Sequence, residues 1–389
     1  MNIEQVRQDT PGVAHVTHFN NAGSALCTQN TLTAIQSYLE KEAITGGYLM
    51  TELEQNALEQ IYVAAAQLIN AQASEIAVTE NATVSFVKAL FSIPFQKGDI
   101  ILTSEIEYGT NYLNFLHLKE STGIEIQIVP SDEYGHIDLH QLEAMINPKV
   151  KLIAVTHIPT NSGMVADVIT IGKIAKAHDI LYLVDACQSI GQLPFDVKEV
   201  QCDFCSATSR KYLRGPRGLG FLYVKKGVLE QLTPPYYDML ATTWKSKDDL
   251  ELNHIAKMYE NFERPMALIV GFAEAIDYQN RLGIHNTWER IQELAAYLRK
   301  GLQHIKGVTV QDIGQKQCGI VTFTKSNHTP ADIKATLLKE KVNTSVSYPF
   351  SSLLDMERRG LDAVVRASVH YYNTHEEIDH LLALVEDLR

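Results

Sequence analysis

Ser206-Ala-Thr-Ser-Arg-Lys-Tyr-Leu-Arg-Gly-Pro-Arg-Gly-Leu-Gly220 is the stretch on which the reading of this chain turns. The apolar run Phe204–Ala207 leads into it and a second, Leu219–Val224, leads out. Between them one lysine, Lys211, stands among Ser/Thr residues, glycines and Arg210, Arg214 and Arg217. Arginines on a glycine-rich turn suit an anion, because the guanidinium offers a planar fork of donors. Upstream, Leu181-Tyr-Leu-Val-Asp-Ala-Cys-Gln188 reads as a buried strand that ends on an acid, Asp185.

Working outward, apolar runs alternate with amphipathic ones. Strands are expected at 99–103, 124–129, 150–156 and 180–184, and helices at 112–121, 139–146 and 168–178. Continuously apolar strands between amphipathic helices indicate a mostly parallel sheet covered on both faces. Such sheets bind ligands at the carboxyl ends of their strands. Glu107, Tyr108, His157, Asn161, Asp185, Gln188 and Lys211 all follow strand ends and are expected to share one cleft. Ile76–Thr83 breaks into a helix from Val84, with Asn81 and Thr83 at its start. The first amides of a helix lack internal partners and favour phosphate, although any capped helix has this property.

Helices are also expected over 30–45 and 51–69, separated by Gly46-Gly47. Residues 225–262, with Pro234-Pro235-Tyr-Tyr and polar Trp244–Asp249, are less regular and read as a surface excursion. Two long helical patterns then run to His304, followed by short strands, a helix at 330–340, strands near 342–347 and 364–371, and a closing helix from Thr374. The expected architecture is α/β: a large domain at 20–262 with a seven-stranded type of sheet, and a smaller C-terminal α/β domain made of 1–19 and 263–389.

The 389 residues are 45% hydrophobic and 21% charged, with a net charge of −12. Lys and Arg form no stripe, so nucleic acid is not an expected partner. No apolar run has the length of a membrane span, and the first residues lack a signal-peptide core. Cys27, Cys187, Cys202, Cys205 and Cys318 are odd in number and mostly sit in apolar stretches. They suit free thiols in a cytoplasmic protein. The lone CxxC at Cys202/Cys205 reads as structural, with no metal expected.

A lysine amine becomes nucleophilic when burial or a neighbouring cation lowers its pKa. A buried acid needs a partner, and a protonated pyridine nitrogen is one that suits. Lys211, Asp185 and the anion-friendly turns together point to a cofactor carrying an aldehyde and a phosphate.

Val184-Asp-Ala-Cys-Gln188 and Thr208–Val224 closely resemble the class V aminotransferases, a family of fold-type-I pyridoxal-phosphate enzymes. Val78–Thr83, Thr156–Gly163 and Val365–Thr374 extend the resemblance. It implies that Lys211 anchors the cofactor covalently and that Asp185 pairs with the ring nitrogen. It implies Gln188 and Asn161 near the phenolic oxygen, Ala82, Thr83, Thr208 and Arg210 at the phosphate, and Tyr108 stacked on the ring. Asn20, Ala22 and Arg366 fall on the substrate side, Arg366 at the carboxylate of a small amino acid. A homodimer is implied too.

Within the family, cysteine desulfurases carry a reactive cysteine shortly before the Arg-Ala-Ser motif. Here Val342–Gly360 contains none. Glu107–Asn111 and Ser209–Gly218 resemble the carbon–sulfur lyase of ergothioneine synthesis, and Tyr259–Arg264 and 345–366 resemble isopenicillin-N-epimerase-like proteins. The expected activity is therefore β-elimination of a sulfur or selenium group without a persulfide cysteine. Epimerisation, transamination and a non-catalytic cofactor-binding protein stand as alternatives.

Overall fold

The computed structural model describes residues 1–388. Its centre is a seven-stranded sheet: β1 Ile76–Thr79, β2 Ile100–Ser104, β3 Glu125–Val129, β4 Val150–Thr156, β5 Leu181–Asp185, β6 Phe204–Thr208 and β7 Gly220–Val224. The spatial order is β1-β7-β6-β5-β4-β2-β3, and only β7 runs against its neighbours.

Side chains alternate across a strand, so a run apolar at every position feeds two cores. Ile76, Val78, Ile153, Val155, Tyr182, Val184, Cys205 and Ala207 pack on one face. Ala77, Leu152, Ala154, Leu183, Phe204 and Leu222 pack on the other. The CxxC is part of this packing, with Cys202 and Cys205 buried.

Register then sets out the site. Thr156 pairs with Asp185, and Asp185 with Ser206. One residue pair further along β6, Thr208 faces Gly220, which faces Thr79. The strand ends thus form a row that leads directly into the helix Ala82–Ser92.

A four-stranded antiparallel sheet, ordered Val308–Val310, Ile320–Lys325, Val364–Ser368, Ser345–Ser347, carries the C-terminal core. The N-terminal pair Thr17–His18 runs parallel to Val342–Asn343. The break expected at Gly46-Gly47 is shorter: Gly47–Leu53 is itself helical, since the chain regains helical backbone right after Gly46, whose φ is +90°. The irregular stretch contains an exposed hairpin, Thr242–Ser246 with Asp249–Leu252. Among the described residues, no helix is long and apolar enough to cross a membrane.

Gly220 is where β7 threads between β6 and the start of the Ala82 helix. A Cβ there would lie 2.4 Å from the Ala207 carbonyl oxygen and 3.0 Å from the Ala82 nitrogen. Gly220→Ala is expected to destabilise the protein by about 1–3 kcal/mol through overpacking. Gly227→Ala, with open space around it, is expected to stay within about 0.5 kcal/mol. Thermal unfolding of the two variants beside the wild type checks this.

Candidate active site

The strand ends enclose a chamber of about 260 Å³. It joins a smaller one of about 190 Å³ beneath the loop Val346–Ser351. Tyr108, Thr160, Arg210 and Lys211 line both.

The inner chamber has a positive end. Asn81 caps the Ala82 helix by accepting from the Val84 N–H at 3.0 Å. Among the hydrogen bonds of the described residues, the N–H groups of Ala82 and Thr83 have no partner. Thr208, Arg210 and Arg217 complete this wall. A helix N-terminus with two free amides and two guanidinium groups fits a phosphate. Arg214 does not contribute. Its φ of +59° turns the side chain away, and it donates to the Leu26 carbonyl at 2.8 Å, Thr10 Oγ1 at 2.5 Å and Tyr371 Oη at 3.1 Å. It is buried against the Tyr372 ring and ties the lysine turn to both ends of the chain.

The opposite end is acidic. Asp185 Oδ1 accepts from the Cys187 N–H at 2.9 Å, and Oδ2 from Asn111 Nδ2 at 2.8 Å. Burial raises the Asp185 carboxyl above the usual range. Burial, then the charge of Asp185, pushes Glu107 up to about 7. Glu107 does not line the chamber. Its Oε1 accepts from Thr156 Oγ1 at 2.5 Å, Asn111 Nδ2 at 2.8 Å and the Tyr108 N–H at 3.0 Å.

Lys211 reaches the chamber between these ends and donates from Nζ to Cys187 Sγ at 3.2 Å. Burial lowers its pKa, opposed by Cys187 and aided by Arg210. Gln188 donates from Nε2 to the Ala22 carbonyl at 3.2 Å, while its buried Oε1 has no partner. Tyr108, just before the helix Gly109–Thr122, is part-exposed on both chambers.

On the outer side, buried Arg366 donates from Nε to Ser345 Oγ at 3.0 Å and from Nη1 to the Thr160 carbonyl at 3.1 Å and Oγ1 at 2.5 Å. Burial lowers its pKa to about 10, leaving it a cation at neutral pH. Ala22 lines this chamber; Tyr348 and the outward Phe350 form its rim, rings stacked at 6.1 Å.

Besides Glu107, three expected members do not line the chambers. Thr156, Ile158 and Thr160 line the inner chamber, whereas His157 and Asn161 do not. His157 packs near Phe195. Asn161 is fully buried, with both amide atoms unpartnered. Asn20 lines neither chamber: its side chain lies against Gly23, whose Cβ would fall 2.5 Å from Asn20 Oδ1. Conversely, Asn111, Thr156, Thr160 and Cys187 line the inner chamber without having been singled out from the sequence. The available signal for Asn111 was its place four residues after Glu107, on the first turn of the helix Gly109–Thr122.

The cavity thus offers an anion cradle, a lysine with lowered basicity, an acid without a paired cation and an unpartnered amide oxygen. These fit pyridoxal phosphate. A model of the Aminotransferase class-V family matches residues 17–381. A probable cysteine desulfurase of Methanothermobacter thermautotrophicus is 31% identical, the match covering all of this chain and 98% of that one. The apo structure of cysteine desulfurase from Thermococcus onnurineus NA1 superposes with a TM-score of 0.93 at 27% identity, over 99% and 97% of the two chains. A lysine-to-alanine variant of C-DES with glycine covalently linked to its pyridoxal-phosphate cofactor has a TM-score of 0.88 at 23% identity, over 98% and 99%; this likeness concerns the fold.

The Glu107 carboxyl gives a pH signature. Its folded pKa, about 7, lies above the unfolded value of 4.5. Its contribution to stability is therefore complete below about 4.5 and is lost as pH rises through 7. Over that window the wild type is expected to lose on the order of 3 kcal/mol relative to Glu107→Gln. Unfolding of both cofactor-free proteins across pH 4.5–8 checks the difference in slope.

Proposed function

The chain belongs to the aminotransferase class-V family and is a pyridoxal-phosphate-dependent enzyme of the cysteine-desulfurase-like type; from that premise we propose that it cleaves the carbon–sulfur bond of a cysteine-type amino acid by β-elimination. The observation that carries this reading is the substrate chamber. Its walls are Ala22, Gly23, Tyr108, Thr160, Arg210, Lys211, the segment Val346–Ser351 and Arg366, without a thiol. A persulfide-forming reaction needs a thiolate that reaches the substrate sulfur. Cys187 is on the inner side, against Lys211, and burial raises its pKa.

In this reading Ala82, Thr83, Thr208 and Arg210 hold the phosphate, Asp185 the ring nitrogen and Gln188 the phenolic oxygen. Tyr108 covers the ring. Bound there, the cofactor withdraws the electron pair left on the substrate α-carbon. The rest falls to this chain's own residues. Arg366, fixed by Thr160 and Ser345, orients the substrate carboxylate. Lys211, less basic through burial, removes the α-proton from close range. The carbon–sulfur bond then breaks and sulfur leaves with its electron pair. Amino acid plus water yields thiol or sulfide, a 2-keto acid and ammonium.

A persulfide-forming cysteine desulfurase is the second reading, favoured by the names of relatives 31% and 27% identical. With L-cysteine, the lyase is expected to release pyruvate and sulfide in equal amounts. Alanine with a protein-bound persulfide would instead establish the desulfurase.

Lys211→Ala is expected to retain no cofactor mass after borohydride reduction and denaturation, where the wild type does. Arg366→Ala is expected to raise KM at least about tenfold through loss of a charged contact.

A further inference from the structure

We propose that Glu107 is a positioning residue for the cofactor: through Asn111 it fixes the Asp185 carboxylate that receives the ring nitrogen, and it braces the wall on either side. The proposal rests on the pyridoxal-phosphate reading above.

The Asn111 amide has two N–H bonds, and both go to carboxylates: one to Glu107 Oε1 and one to Asp185 Oδ2, each at 2.8 Å. Oε1 of Glu107 accepts from three donors and has no hydrogen to give, so it dictates which way round the Asn111 amide stands. With the amide so held, its second N–H fixes Asp185 Oδ2. The Cys187 N–H fixes the other oxygen. Asp185 therefore presents one orientation to the chamber.

Glu107 acts on two further walls through the same oxygen. Thr156 Oγ1 donates to it from the end of β4, and the Tyr108 N–H donates from the helix start. Thr156, Tyr108 and Asn111 all line the inner chamber, while Glu107, 3% exposed, does not. A carboxylate buried beside a second one is costly unless it is hydrogen-bonded. A neutral glutamine at this place would fill the same space and accept the hydroxyl. It would also bring an NH2 group, removing the demand that Asn111 donate in both directions. A simple structural brace would make no such use of Asn111.

The test is a double-mutant cycle on cofactor affinity. Cofactor-free wild type, Glu107→Gln, Asn111→Ala and the double variant are titrated with pyridoxal phosphate and followed by visible absorbance. Folding is checked by circular dichroism. Each single change is expected to weaken binding about tenfold or more, the scale of a lost hydrogen bond to a charged group. The double variant is expected to lie within about threefold of the weaker single, because both changes break one path. At saturating cofactor the visible band of Glu107→Gln is expected to shift from the wild-type position. Affinity of Glu107→Gln within about twofold of wild type, or a double variant equal to the product of the singles, would overturn the proposal. If Glu107→Gln does not fold, Asn111→Ala decides: unchanged affinity and an unchanged band overturn it. A wild type that takes up no pyridoxal phosphate would instead remove the cofactor reading itself, and this inference with it.

Discussion

A carboxylate held at the inner end of a fully apolar strand is the constraint around which this structure is arranged. Asp185 is buried, and its hydrogen bonds come from neutral N–H groups. Such a group is expensive to ionise without a cation. The strand register brings Thr156 and Ser206 to its sides, and the lysine turn after the next strand brings Lys211 to the same cavity. The positive cradle stands at the other end, where the sheet yields to a helix N-terminus. A ligand with a cationic ring nitrogen and a distant phosphate matches both ends at once.

Much of this was legible in the chain. The seven-stranded, mostly parallel sheet was visible because the central strands carry apolar runs on both faces, as in Ile100–Leu102, Leu152–Val155 and Leu181–Val184, the mark of burial on both faces. The lysine turn, Asp185 and Gln188 could be read because a strand end fixes where the next residue points. Legibility failed where the backbone bends. After β4 the chain leaves the strand at Thr156, and Thr160 rather than Asn161 lines the chamber. Asn20 lies outside both chambers as well, since a turn folds its side chain onto Gly23. Arg214 looked like a phosphate ligand because charge and spacing are visible in sequence. Its positive φ is not, and that angle sends the guanidinium to Thr10 and Tyr371.

The two chambers divide the chemistry. The inner one is built from the most regular part of the molecule, where register leaves little freedom. The outer one is closed by Val346–Ser351, whose backbone rests on the helix beginning at Gly109. A Cβ at Gly109 would lie 2.2 Å from the Phe350 carbonyl oxygen, so the absence of a side chain there sets how closely that loop approaches. The shapes of the two chambers can therefore vary separately: the inner one through strand register, the outer one through a short loop and the residue beneath it.

The N-terminal segment has a consequence for how the protein is made. Thr17–His18 lies beside Val342–Asn343, Asn21 donates to the Ser368 carbonyl at 2.7 Å, and Ala22 and Gly23 receive Gln188 and Arg210. Asn21 thus has a partner 347 positions later in the chain. Contacts of such sequence separation form late, because closing so long a loop is entropically unfavourable. The central sheet can assemble during synthesis, whereas the wall shared by Ala22, Gly23 and Arg366 must wait for the last strand. A chain cut before Val364 would form the strand ends of the inner chamber but leave the outer chamber without Arg366.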